Sequence, residues 1–169
     1  MSELAAQRPA TAPGKVGWEV RPARAEDAPG VAAAVAALVA ELGGSPPPRG
    51  AIESEARAHI ADPSLGIVLV AATESEVLVG ALTASWARAI QVAGRLLTIE
   101  VLWTRREWRD GGVGAALVEA LAAAAAAEGA SRVEVGLPRE SFAALRATER
   151  FYLANGFERL GPRMRRAVP

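Results

Sequence analysis

The chain predicts an α/β (α+β) fold: a mixed, mostly antiparallel central sheet flanked by helices on both faces. Three observations predict it. Apolar segments of strand length follow one another between residues 65 and 104, a helix and a further strand come after them, and alanine-rich helical stretches stand on either side. The 169 residues, 51% hydrophobic and 22% charged, suit one domain able to bury roughly 70% of the surface of its unfolded chain. No internal repeat divides it, so residues 18–169 read as a single domain behind a disordered tail, residues 1–17, rich in Ala, Pro and Gly.

The elements follow in order. Residues 18–21 form a short strand before Pro22. Asp27 or Glu26 then caps, or sits in the first turn of, an apolar helix reaching about Leu42, where Gly43-Gly44 stops it. Residues 45–50 are a proline-rich connection, and residues 52–61 a second helix closed by Asp62-Pro63. Residues 65–72 and 77–86 are two strands around the polar turn 73–76, an antiparallel hairpin, and residues 96–104 are a third strand after the turn signal at Gly94. Residues 112–128 are strong helix formers ended by Gly129. A strand at 132–137, a helix at 142–155 ended by Gly156, and a hairpin of 157–160 with 164–168 complete the chain.

Composition excludes several chemistries. Without cysteine there is no disulfide, thiolate metal site or thiol nucleophile, and a serine hydrolase would need the only histidine, His59, as its base. His59 sits among Ala and Ile on a predicted helix and reads as a surface or capping residue. Nineteen basic residues against 19 acidic ones provide no net positive field for nucleic acid or an anionic membrane. The apolar runs 31–42 and 115–127 are short of the roughly 20 residues a bilayer demands, and no signal peptide is present, so a cytoplasmic location is expected. Eighteen of the 19 basic residues are arginine, so any anion contact would be made by a guanidinium fork.

The segment Ile99-Glu100-Val101-Leu102-Trp103-Thr104, followed by Arg105-Arg106-Glu107-Trp108-Arg109-Asp110-Gly111-Gly112-Val113-Gly114-Ala115, runs strand, loop, Arg-x-x-Gly-x-Gly, helix. Such a run places free N–H groups at a helix N-terminus, with glycines that let an anion reach the main chain. A plain strand-to-helix turn would use the same glycines. A dinucleotide fold fits Gly112, Gly114 and Glu134, but Leu117 stands at its third glycine and a polar loop precedes the pair. A Walker loop fails for want of Gly-Lys-Ser/Thr.

At these residues the chain resembles the GNAT family of N-acetyltransferases, which move an acetyl group from acetyl-CoA to an amine. The likeness follows element order from Trp18 to Val168. It is sharpest from Ile99 to Phe157, where Arg109-Asp110-Gly111-Gly112-Val113-Gly114 matches the pyrophosphate loop and Phe151-Tyr152-Leu153-Ala154-Asn155-Gly156-Phe157 matches the later Phe/Leu-Tyr and Gly-Phe motif. It implies an acyl-CoA N-acyltransferase-like fold, with acetyl-CoA as co-substrate and no metal. It also implies CoA contacts from Trp103, Thr104, Arg109, Asp110, Gly111, Gly112, Val113, Gly114 and Ala115. The strand ending at Trp103-Thr104 would splay from residues 133–135 so that the pantetheine arm pairs with it. Seven residues before Tyr152, where many members carry asparagine, this chain has Leu145.

Acetyl transfer must remove a proton from the amine, stabilise the thioester oxygen and protonate the leaving sulfur. Glu100, inside an apolar strand, is the candidate base, expected to be buried or half-buried; a solvated or arginine-paired side chain is the alternative. Tyr152 is the candidate acid by its motif position; a packed core tyrosine is the alternative. The expected partners are a small-molecule or peptide amine and, because related enzymes often dimerise, a second copy of the chain. A non-catalytic acyl-CoA-binding or regulatory domain of the same fold is the second reading.

Overall fold

The computed structural model describes residues 17–161. They fall into two compact units, divided between Val135 and Gly136.

The first unit holds β1 (Trp18–Pro22), α1 (Ala28–Glu41), α2 (Arg49–Ala61), β2 (Gly66–Thr73), β3 (Leu78–Ala89), β4 (Gly94–Thr104), α3 (Val113–Ala127) and β5 (Arg132–Val135). The five strands make one mixed sheet in sequence order, β1 to β5. The first three pairings are antiparallel, and β4–β5, joined through α3, is parallel. The run at β2 is continuously apolar because both of its faces are covered. On one face Val68 and Val70 pack with Ala28, Val31 and Ala56 from α1 and α2. On the other, Gly80, opposite Ala71 on β2, lies directly under Val113 and Leu117 of α3. Helices therefore flank the sheet on both faces.

Several boundaries differ from the sequence reading. The Asp27 carboxylate does not cap α1. It accepts hydrogen bonds from the Arg21 guanidinium at 2.7 and 3.2 Å and from the Arg24 N–H at 2.6 Å, because a buried arginine nearby is a stronger partner than a helix amide. Helix α2 begins at Arg49, not residue 52: Pro48 sits at its N-cap and its carbonyl receives the Ala51 and Ile52 N–H groups at 2.9 and 3.2 Å. Strand β3 continues past Trp86 to Ala89 because β4 pairs with it as far as Gly94, and the Arg95 guanidinium lies 3.9 Å from the Trp86 ring centroid. Helix α3 ends as expected at Gly129, with the Ala130 N–H on the Ala125 carbonyl and the Gly129 N–H on that of Ala126.

In the second unit, α4 (Leu145–Ala154) starts later than residue 142 because the chain first turns twice, with Phe142 N–H on the Arg139 carbonyl and Leu145 N–H on that of Phe142. Residues 157–160, expected as a strand, are irregular. Arg159 there forms a 2.6 Å bond to Glu149 of α4, a local contact that needs no ladder. The proposed partner strand 164–168 lies outside the described residues, as do residues 1–16 of the expected tail.

Candidate functional site

The parallel β4–β5 ladder runs from Leu96 opposite Arg132 to Ile99 opposite Val135 and stops there. Beyond it, residues 101–104 keep β3 as their ladder partner and have no β5 partner. The site residues begin at this departure. Against β3 the register also shifts: Val101 opposes Thr83 while Ile99 opposes Ala84, leaving Glu100 as the extra residue of a β-bulge. Ile99 and Val101 are buried, but Glu100 is exposed. The expectation of a buried or half-buried carboxylate is thus corrected, and the bulge is the reason, since it takes Glu100 out of the paired ladder.

Trp103 and Thr104 close β4 opposite Ala81 and Gly80. The Trp103 indole Nε1–H is buried without a hydrogen-bond partner among the described residues. The chain is then pinned to β3 by the Arg105 N–H on the Val79 carbonyl, 2.9 Å, and makes a tight turn over Arg106–Trp108. Asp110 and Gly112 follow with φ of +61° and +82°. The second of these favours glycine, because a Cβ would be strained there, although the space around it is open. Helix α3 begins at the next residue.

Its first amides are what this turn exposes. The Ala116 N–H bonds to the Gly112 carbonyl at 3.0 Å. The N–H groups of Gly112, Val113, Gly114 and Ala115 have no acceptor among the described residues. Four donors at the positive end of a 15-residue helix, bare of side chains at Gly111, Gly112 and Gly114, form a main-chain cradle suited to phosphate oxygens. Arg109, expected as an anion contact, is already engaged: its Nε donates to the Thr104 carbonyl at 3.0 Å and its Nη2 to both Glu41 oxygens at 2.7 and 2.8 Å. The pairing of Glu41 with Arg109 is the contact that sequence reasoning missed, because 68 positions separate the two and leave no local signal.

Tyr152 belongs to the second unit. It is buried, with the Phe151 and Phe157 rings edge-on at 5.2 Å each. Burial pushes its phenol up to about 12, so the hydroxyl stays protonated at neutral pH.

His59 is half-buried in the last turn of α2. Its Nδ1 faces the Glu55 carbonyl at 3.1 Å and carboxylate at 3.3 Å, and its Nε2 faces the Ser85 hydroxyl at 3.5 Å. The outline resembles a hydrolase triad, but the glutamate is 72% exposed and the serine contact is at the limit of a hydrogen bond. The shorter contacts of the histidine are to Glu55 within its own helix. Among the described residues no group of three or more His, Asp or Glu side chains converges as a metal site, and no helix is long and apolar enough to cross a membrane.

Comparison with known proteins shows what fold and family the chain shares. A search of curated proteins finds no match. Among solved structures, an aminoglycoside N-acetyltransferase AAC(6')-Iy in complex with CoA superposes with a TM-score of 0.76 at 14% identity, over 94% of this chain and 99% of the other. A possible acetyltransferase from Clostridium difficile 630 gives 0.75 at 17% identity, over 92% and 99%. Glucosamine-6-phosphate N-acetyltransferase from Arabidopsis thaliana gives 0.69 at 13% identity, over 90% and 99%. These likenesses define an acyltransferase fold. Residues 34–157 match the Acetyltransferase (GNAT) family, and the chain belongs to that family.

Proposed function

We propose that the protein is an N-acetyltransferase that moves the acetyl group of acetyl-CoA to a primary amine by direct attack within a ternary complex. The observation that carries this reading is the cradle of free amides from Gly112 to Ala115, joined by the turn 105–111 to a strand whose parallel pairing with β5 stops at Ile99. The CoA pyrophosphate would accept from those amides, and the pantetheine arm would lie along Trp103 and Thr104, using main-chain groups. Asp110 and Gly111 shape the turn that presents the cradle.

The reaction forms a C–N bond and breaks the thioester C–S bond. The amine proton goes to Glu100, directly or through water, and the sulfur takes a proton from the Tyr152 phenol. Glu100 suits its role because the bulge leaves its carboxylate exposed on the strand. Tyr152 suits its own because a phenol carries its proton at neutral pH. With no cysteine in the chain, a thiol-bound acetyl intermediate has no carrier. The acceptor is a small-molecule or peptide amine rather than nucleic acid or a membrane component. A cytoplasmic location and a homodimer belong to the same proposal.

Saturating acetyl-CoA should raise the melting temperature, because a ligand that binds only the folded state stabilises it. Gly112→Asp, which places a strained side chain and a negative charge in the cradle, should abolish the rise. If the wild-type melting temperature does not move, the cofactor reading is wrong. Release of free CoA thiol across a panel of small amines, polyamines, aminoglycosides and peptides tests the transfer itself. Binding without release for every amine would favour the non-catalytic acyl-CoA-binding domain, the reading toward which Leu145 leans. Glu100→Gln and Tyr152→Phe should each lower turnover while leaving the acetyl-CoA shift in place.

A further inference from the structure

We propose that Glu41 is an internal occupant of the arginine of the cofactor loop: its carboxylate holds Arg109 in the free protein, yields it to a CoA phosphate on binding, and so sets how tightly the cofactor is held. This rests on the cofactor reading above.

The geometry is that of an anion on a guanidinium. Nη2 of Arg109 donates to both Glu41 oxygens, at 2.7 and 2.8 Å, while Nε is fixed on the Thr104 carbonyl at 3.0 Å. Arg109 stands in the turn that leads to the free amides of Gly112, Val113, Gly114 and Ala115, so the carboxylate and a phosphate on those amides would compete for one cation. With Glu41 in place the charge of Arg109 is already neutralised, so a phosphate can use the guanidinium only by displacing the carboxylate.

The pair is built to be exchanged. Its side chains are 38% and 35% exposed, and an ion pair this accessible to water contributes little stability and is screened by salt. Glu41 is also the last residue of α1, whose buried residues, Ala28, Val31, Ala32 and Ala34, lie in its first half. Ala40 and Glu41 are exposed, and Gly43-Gly44 follows. The end of the helix can therefore shift without disturbing the core. Exchange of Glu41 for a phosphate would make CoA easier to release after transfer than an unopposed arginine would.

Calorimetric titration of CoA into the full-length wild type, Glu41→Gln, Arg109→Gln and the double variant tests this. Glu41→Gln should bind CoA about two- to fivefold more tightly, the scale of a partly exposed ion pair, with the gain shrinking as salt is raised. Arg109→Gln should bind more weakly, and in that background Glu41→Gln should add nothing. A parallel thermal melt confirms folding. If the wild type binds CoA and Glu41→Gln binds equally or more weakly, Glu41 is a structural pin and the exchange is overturned while the cofactor reading stands. If wild-type protein fails to bind CoA at all, the cofactor reading falls and the exchange with it.

Discussion

Trp103 carries the buried side-chain polar atom that lacks a partner among the described residues, its indole Nε1. An unpaired buried donor costs about 1–3 kcal/mol relative to the same group in water, so Trp103→Phe relieves one penalty while losing some packing. Its melting temperature should equal or exceed that of the wild type, whereas the same exchange at a satisfied buried tryptophan would lower it. A drop of several degrees would show that the lost packing outweighs the relieved penalty. Tyr152 permits a prediction with a defined pH window. Its phenol titrates near 10 in an unfolded chain and at about 12 in the fold, so between those values the unfolded state loses its proton first. Stability should fall as pH rises from about 10 to 12, by roughly 2–3 kcal/mol in total at about 1.4 kcal/mol per unit. Tyr152→Phe should abolish that alkaline loss in denaturant titrations.

Between elements, two contacts have measurable consequences. Gly66, at the start of β2, lies so close to β3 that a Cβ would collide with the Ala84 carbonyl and the Ser85 backbone. Both obstacles are main chain and cannot rotate aside, so Gly66→Ala should destabilise the fold by about 1–3 kcal/mol or more, read from the denaturant midpoint. The second contact joins β1, the turn before α1 and the β2–β3 turn. Arg21 binds Asp27 at 2.7 Å and Glu76 at 2.6 Å, with its own side chain 8% exposed. Burial works against the charged form of Asp27, yet the Arg21 and Arg24 hydrogen bonds outweigh it and hold the carboxyl below its ordinary value. A carboxyl depressed by folding contributes stability above its unfolded pKa and loses it as pH falls through the lower folded one. Asp27→Asn should therefore be less stable than the wild type at pH 7, with a shallower acid limb in a plot of midpoint against pH.

For the molecule as a whole, 19 basic and 19 acidic residues cancel at pH 7. Solubility should be lower near neutrality than at pH 4.5, where protonation of part of the 19 carboxylates adds net positive charge. Precipitation by polyethylene glycol at the two pH values reads this directly, and equal solubility would contradict it. At this scale the element order, the mixed sheet and the cradle at α3 were legible in the sequence. Each rests on short-range chemistry: alternation and apolar runs within a strand, alanine-rich helices ended by glycine, and glycines where the main chain must be bare. The same locality explains the misses. The end of β3 depends on what it pairs with, and residues 157–160 have no strand partner among the described residues.

The sequence by itself determined the class of fold, the glycine turn that opens α3 and the absence of thiol chemistry, because backbone preference and composition are properties of neighbours along the chain. Only the tertiary structure decided that Asp27 serves Arg21 instead of a helix end, that a bulge exposes Glu100, and that Glu41 reaches Arg109 across 68 positions of sequence. Those outcomes depend on register and on packing between distant segments, where each group takes the strongest partner that the assembled sheet and helices bring within reach.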